Sequence, residues 1–379
     1  MQVIKGRERI VEVLFYIGIT LELIRTFMAQ TSLVLPYTGR FHHIAFVLFG
    51  LKIVGTYYTK LEWLAIMLFG LLGTASYLAI GEEKAICVVV MIAASKQIEV
   101  RKVVRYIFWT MLIATVLTIF LALFGYGRQL VDIRDYGRGS IEARWGFGIG
   151  HANNMHGMVW YLISLLVLGY YEVLESKHYW MLTILNVLIF IATASRTGFL
   201  LAQIVIVSAW VLVNEVEWIR KSWVYVISYG AVLGLTVLTI IVTTYGMGEN
   251  PLLGFLDQLL SGRLSFAAWW AKSSEWKFLA SEGTARLVDN GIARLFASSG
   301  YLIASVYLMS TIALIAYYQK KRSKYHFICL VLLMTNFFYG FMEATFTFNS
   351  YMLLNIFYIV LINEWYKMIP KNQERRERK

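Results

Sequence analysis

Charge is scarce in this chain. Only 15% of the 379 residues are charged, against about 25% in a soluble domain, which leaves little room for a separate soluble domain. Cysteine is nearly absent, and both Cys87 and Cys329 fall inside apolar runs. There they read as small core residues rather than as a disulfide or metal pair. Histidine is sparse as well. His151 and His156 are five apart with no third histidine near, a spacing that assembles no zinc site. His42 and His43 sit at the start of an apolar run and read as interface residues, while His178 and His326 at helix ends need no function. A Walker loop, a dinucleotide fingerprint, an acidic metal pair and a nucleophile elbow are all missing, so no cofactor is expected. No internal repeat of the kind that marks inverted transporter halves is visible. The basic start Lys5, Arg7, Arg9 leads into an apolar run without a small-residue cleavage site, so the first span is expected to be an uncleaved anchor.

What the chain does have is apolar length. Hydrophobic residues make up 59% and the mean hydropathy is +0.61. Apolar runs close to the roughly 20 residues needed to span a bilayer recur from end to end. The expected spans are 10–28, 41–57, 61–80, 84–95, 105–125, 151–171, 179–194, 197–213, 222–245, 298–318, 325–341 and 347–366. This predicts an all-α, polytopic integral membrane protein: one transmembrane domain over 1–379 with about twelve helices, an outer loop at 126–150 and a large outer loop at 246–297. The net charge of +12 lies mostly in short loops and tails, namely Lys96, Arg101, Lys102, Arg105, Arg220, Lys221, Lys320, Lys321, Arg322, Lys324 and the run to Lys379. That is the positive-inside bias of a plasma-membrane protein with both termini cytoplasmic, not a nucleic-acid surface. The C-terminal run suits a solvated tail near anionic lipid.

With that orientation, the two long loops and the remaining arginine clusters share the outer side. Arginine there works against the charge bias, and its fork matches phosphate. Arg144-Trp-Gly-Phe-Gly-Ile-Gly-His151-Ala-Asn153-Asn154 opens a span after a loop carrying Arg128, Arg134 and Arg138. Glycines allow close backbone approach, a helix start offers N–H groups to an anion, and the asparagines suit sugar hydroxyls. An interfacial arginine beside a capped helix would give the same pattern. Ser195-Arg196-Thr197-Gly198 is either a tight turn or a charge facing a polar cavity. Asn250-Pro251 is a helix start, with Leu252, Leu253, Phe255, Leu256, Leu259 and Leu260 as an apolar stripe and Gly262 as its stop. Ser261-Gly262-Arg263 follows. Over 284–296, Arg286, Asn290 and Arg294 recur at spacings of four beside Asp289, opposite Leu287, Ile292 and Leu295, which predicts an amphipathic helix on the membrane surface. Surface salt bridges would account for the same charges. Glu343 and Asn349 come near an outer helix end, where the carboxylate could orient arginines or bind a cation; an ion pair to one of the many arginines would account for it as well.

Taken in order, these motifs resemble a known family. Arg-x-Gly-Phe-Gly-x-x-His-x-Asn, then Ser-Arg-Thr-Gly, then Ser-Gly-Arg, then Asp289-Asn290 with Gly300, then a late Glu and Asn, spread over about 120–360, are similar to the O-antigen polymerase and ligase superfamily. The closer likeness is to the Wzy-type polymerases of capsule and exopolysaccharide clusters in Gram-positive bacteria. The resemblance implies a GT-C-like membrane glycosyltransferase. It would move a glycan from undecaprenyl diphosphate onto another lipid-linked repeat unit at the outer face, without metal and with inversion. A flippase and a chain-length regulator would be its partners, along with membrane lipid. It further implies Asp289, Arg196, Arg263 and His151 as catalytic residues, with Arg144, Asn153, Asn154, Arg286, Asn290, Arg294 and Glu343 binding substrate. Ala152 replaces the usual proline after the histidine. Leu287-Val288-Asp289-Asn290 stands where the ligase branch has His-Asp-x-His-Asn, which favours a polymerase over a ligase and places Asp289 as base. A lipid-linked-sugar flippase is the rival from another class, but its cavity would need charge reachable from both sides. Because the sequence assembles no evident ligand set, a chelator is expected to leave the rate of polymer formation from purified lipid-linked repeat units unchanged. A divalent requirement restored by one added metal would refute this.

Overall fold

The computed structural model describes residues 2–30, 38–80, 84–135, 141–214, 217, 221–260, 262–271, 277–279 and 290–343. In chain order these form α1 (Gln2–Gln30), α2 (Thr38–Val54), α3 (Lys60–Ile80), α4 (Lys84–Ala94), α5 (Val100–Leu123), β1 (Val131–Asp135), β2 (Ile141–Trp145), α6 (Ala152–Tyr170), α7 (Ser176–Thr193), α8 (Arg196–Asn214), α9 (Ser222–Tyr245), α10 (Pro251–Leu259), α11 (Arg263–Ala271), α12 (Gly291–Lys321) and α13 (Lys324–Met342). Helices α1 to α9, α12 and α13 fall on the first eleven expected spans, and the twelfth, 347–366, lies outside the described residues. Among the described helices, α3, α5, α9, α12 and α13 are long and apolar enough to cross a membrane. The protein is a helical membrane protein. Large apolar side chains stay exposed along α3, α5, α7 and α9, among them Leu71, Leu78, Ile113, Leu188, Ile191 and Val226, as lipid-facing surfaces require.

The core gathers around α6, which is buried along nearly its whole length, from Ala152 to Gly169. It packs against α5, α7, α8 and α13. Helices α1 and α2 lie together, with α4 against α2 and α3, while α9 holds α11 and α12. At one end of the bundle α5 is latched to α6. Arg101 forks onto Glu172 at 2.7 and 2.8 Å, and Arg105 Nε donates to the Gly169 carbonyl at 2.9 Å. The Arg101 guanidinium holds the exposed Glu172 carboxyl below its usual range. A lowered folded-state value means this contribution is present above the unfolded carboxyl range and is lost as pH falls through the lowered one. Two histidines at this end bond the residues that cap helices. Glu175 N–H donates to His178 Nδ1 at 2.9 Å, and Ser323 Oγ meets His326 Nδ1 at 2.6 Å.

Three features depart from the sequence reading. The 126–150 loop contains a hairpin, with β1 antiparallel to β2 and Asp132 opposite Arg144, Arg134 opposite Glu142. Alternating apolar and charged residues in Val-Asp-Ile-Arg-Asp and Ile-Glu-Ala-Arg-Trp carry the period of two that a strand pair needs, so the purely α expectation misses one small sheet. Next, the expected surface helix 284–296 is not one amphipathic element. Asn290 is an N-cap whose Oδ1 accepts from Ala293 N at 3.0 Å, so the helix begins at Gly291. Its first turns, Gly291, Ile292, Ala293, Leu295 and Phe296, are buried rather than laid on the surface, and the rest of 284–296, including Arg286 and Asp289, lies outside the described residues. Finally, α12 absorbs the span expected from 298, interrupted at Gly300 with φ 77° and ψ 169°, a conformation that favours glycine.

A buried polar chain ties α6, α7 and α8 together. His156, fully buried, meets Thr193 Oγ1 at 2.9 Å through Nδ1 and Asn186 Oδ1 at 2.9 Å through Nε2. The Asn186 amide donates to the Phe199 carbonyl and to Gln203 Oε1, both at 3.1 Å. Gly198 makes room for it, since a Cβ there would stand 2.8 Å from His156 Cβ. Gly198→Ala is therefore expected to destabilise the fold by about 1–3 kcal/mol, the range for an overpacked core. Unfolding of the purified protein in detergent micelles measures it.

Candidate functional site

Glu343 closes α13, with extended backbone and its N–H on the Tyr339 carbonyl. Its Oε1 accepts from Arg263 Nη2 at 2.8 Å and from Asn153 Nδ2 at 3.3 Å. The structure thus joins three sequence motifs separated by 80 and 190 residues. The Arg263 and Glu343 side chains are each 15% exposed, so the pair sits in a site only partly open to solvent, where charge interactions strengthen.

Each partner is fixed by local structure. Asn153 lies in the first turn of α6, where the N-cap His151 accepts its backbone N–H through Nδ1 at 3.1 Å. This makes His151 a cap, held by the same helix start as Asn153. The half-buried Asn154 follows in that turn. Arg263 opens α11, and Asp257 of α10 caps that helix. Asp257 Oδ1 accepts from Leu264 N at 2.8 Å and Ser265 N at 3.0 Å, and Ser265 Oγ donates to Oδ2 at 2.5 Å. A carboxylate at a helix start satisfies orphan donors and the positive dipole end. Asp257 and Ser265 position Arg263, and sequence reasoning overlooked both. The Asp-x-x-x-x-Gly-Arg-x-Ser spacing was the signal. Asn250 caps α10, accepting from Leu252 N at 3.0 Å, as the Asn-Pro pair predicts.

The remaining expected residues stand in other settings. Arg144 is buried in the hairpin and bonds Glu142 Oε2 at 2.7 and 2.9 Å, so a carboxylate already balances its charge. The turn after it is tight. A Cβ on Gly146 would meet the Gly150 carbonyl oxygen at 2.0 Å, and one on Gly150 would meet Arg128 Nη1 at 2.4 Å. Arg128 therefore rests on the backbone that leads to His151. Arg196 is exposed at the first position of α8, above the buried His156 chain. Asn290 is 1% exposed, and its Nδ2 finds no hydrogen-bond acceptor among the described residues. Arg294, one turn on, is half-buried. Asp289, Arg286, Arg138 and Asn349 lie outside the described residues. Among the described residues no group of three or more His, Cys, Asp or Glu side chains is placed to hold a metal ion.

Comparison with protein-family models, curated proteins and solved structures finds no match to the chain. The Arg263–Glu343 contact is testable by itself. Arg263→Ala, Glu343→Ala and the double variant are expected to show a coupling of about 0.5–3 kcal/mol, the range for residues in direct contact. Additive single effects in denaturation would place the two side chains apart.

Proposed function

We propose that this protein is a polysaccharide polymerase of the outer membrane face, transferring a growing glycan from undecaprenyl diphosphate to a lipid-linked repeat unit. The observation that carries this reading is the meeting of Arg263, Asn153 and Glu343. These residues come from three of the motifs whose order resembles the O-antigen polymerase and ligase superfamily, and they meet at helix starts and a helix end. Counting alternate passes, α6 starts and α13 ends on the same side. With the basic loops inside, that side is the outer one.

In the proposed reaction an acceptor sugar hydroxyl attacks the anomeric carbon of the donor. The bond from that carbon to the diphosphate oxygen breaks, and the hydroxyl proton passes to Asp289 as general base. Arg144, Arg196 and Arg263 stabilise the charge of the departing diphosphate. Asn153, Asn154 and Asn290 position sugars, and Arg286 and Arg294 contribute further anion contacts. Glu343 holds the Arg263 fork in one orientation. A single displacement inverts the donor centre.

The decisive experiment is polymer formation by the purified protein from lipid-linked repeat units. Arg263→Lys is expected to lower the rate by about 10²-fold, the cost of losing one oxyanion-type donor, because a point charge does not reproduce the fork. The protein should remain in the membrane. Full activity in the lysine variants of Arg144, Arg196 and Arg263 alike would remove the diphosphate clamp. Asp289→Asn is expected to abolish turnover while lipid-linked substrate still binds, and near-normal polymerisation would move the base to His151 or Glu343. In cells, loss of the protein should leave single repeat units outside. Repeat units retained inside would indicate a flippase, and long lipid-linked polymer without its final acceptor a ligase.

A further inference from the structure

A second constellation lies on α1, α2 and α4, made of residues that the candidate site does not use. Cys87 Sγ is 3.0 Å from His42 Nε2, and His42 Nδ1 bonds Glu22 Oε1. Arg25 holds the other carboxylate oxygen, with Nε at 3.1 Å and Nη2 at 3.0 Å from Glu22 Oε2. The thiol thus contacts an imidazole, the imidazole a carboxylate, and the carboxylate a guanidinium. The acceptor on Nδ1 fixes that nitrogen as the N–H and leaves Nε2 as the base toward sulfur. The two contacts use opposite ring nitrogens, so the three groups form a line and do not converge on a point as metal ligands would. His43 lies beside His42, with ring centroids 6.2 Å apart.

The setting differs from that of a structural cysteine. Glu22 and His42 are 8% and 9% exposed, and Cys87 is half-buried. Both cysteines are outside any disulfide, but Cys329 is fully buried. Cys87 lies in the first turn of α4. Helices α2, α4 and α6 begin at the same end of the bundle by alternate passes. His42 and Cys87 are each about one turn below their helix starts, a depth of about 5 Å. The neighbouring α2 and α3 expose Ile44, Tyr77 and Leu78. Exposed apolar side chains on the helices packed against α4 offer a surface to an acyl chain.

We propose that Cys87, His42 and Glu22 form a second reactive site, a thiol nucleophile with an imidazole base and an orienting carboxylate, whose substrate is an acyl ester presented from the bilayer. The Cys87 S–H proton moves to His42 Nε2 as sulfur attacks the ester carbonyl carbon. The bond from that carbon to the alcohol oxygen breaks, and His42 returns the proton to the leaving alkoxide. The products are an S-acyl Cys87 and the free alcohol, with no change in oxidation state. Glu22 is a positioning residue that holds the imidazole tautomer. The site is independent of the polymerase reading, and its test reads no polymer.

The test uses the full chain in detergent micelles with p-nitrophenyl decanoate and p-nitrophenyl acetate as probes. The expected result is a burst of p-nitrophenolate near one per protein, with decanoyl found by peptide mass spectrometry on Cys87, faster from decanoate than from acetate. Cys87→Ser should abolish the burst, and His42→Gln should slow it by about 10²-fold, the usual contribution of a positioned base. Glu22→Gln should move the pH–rate profile toward that of an unassisted thiol. An acyl group on other residues, or an unchanged rate in His42→Gln, overturns the site, and acetate reacting as fast as decanoate overturns the lipid-ester class. Should the His42 variant not fold, iodoacetamide kinetics of the unmodified protein decide. Alkylation of Cys87 at pH 6 well above that of free cysteine in the same micelles supports the site, and equal or slower alkylation overturns it.

Discussion

One oxygen of Glu343 accepts from a guanidinium that opens α11 and from an amide that opens α6. In a bundle with so little charge, a carboxylate taken out of water must be paired, and removing one partner leaves the other uncompensated. That requirement makes the end of α13 a meeting point for chain segments far apart in sequence. It also explains why Arg263 needs a rigid mount. Asp257 provides one by capping α11 through two backbone amides and a serine hydroxyl, so the arginine is oriented from its backbone as well as from its carboxylate.

The same constraint sorts the other polar groups by depth. Several of them form chains away from water. His156, Asn186, Gln203 and Thr183 satisfy one another between α6, α7 and α8. Lys52 donates to Thr56 Oγ1 at 2.6 Å and to the Lys96 carbonyl at 2.9 Å, while Lys96 pairs with Glu62 at 2.7 Å. Such networks hold helices in register because a half-satisfied buried group costs more than an apolar one. At helix ends charge can reach beyond the bundle, and Arg196 and Arg263 stand at the first positions of α8 and α11.

Hydropathy made the helices legible, because a bilayer demands about 20 apolar residues per pass and leaves that length in the sequence. Caps were legible too, as at Asn250-Pro251. The hairpin was not anticipated, since ten strand residues among helices carry a short alternation that long apolar runs overshadow. The start of α12 was misplaced for another reason. A period of four across Arg286, Asn290 and Arg294 is compatible with one continuous helix, and only the Asn290 side chain bonding Ala293 N shows where it begins. Of the site, sidedness and motif order pointed to Arg263, Asn153 and Glu343, but their contacts are tertiary and leave no local trace. Glu22, His42 and Cys87 are 20 and 45 residues apart; read singly, His42 looked like an interface residue and Cys87 like a core residue, and Glu22 carried no signal.

The short helices α10 and α11 together set the place of Arg263. No residue of α10 is buried, and Leu252, Phe255 and Leu259 are strongly exposed, which in a membrane protein is a surface for acyl chains or headgroups. The opposite side of this helix supplies Asp257, and Asp257 sets the start of α11 and hence the place of Arg263. The ends of α5 and α6 remote from the site are fixed by the Arg101 fork on Glu172 and by Arg105 on the Gly169 carbonyl. At the site end, α10 packs Leu253 and Leu256 against the core while its other apolar side chains stay exposed. Through its one carboxylate, Asp257 thus couples the placement of α10 to that of the Arg263 guanidinium.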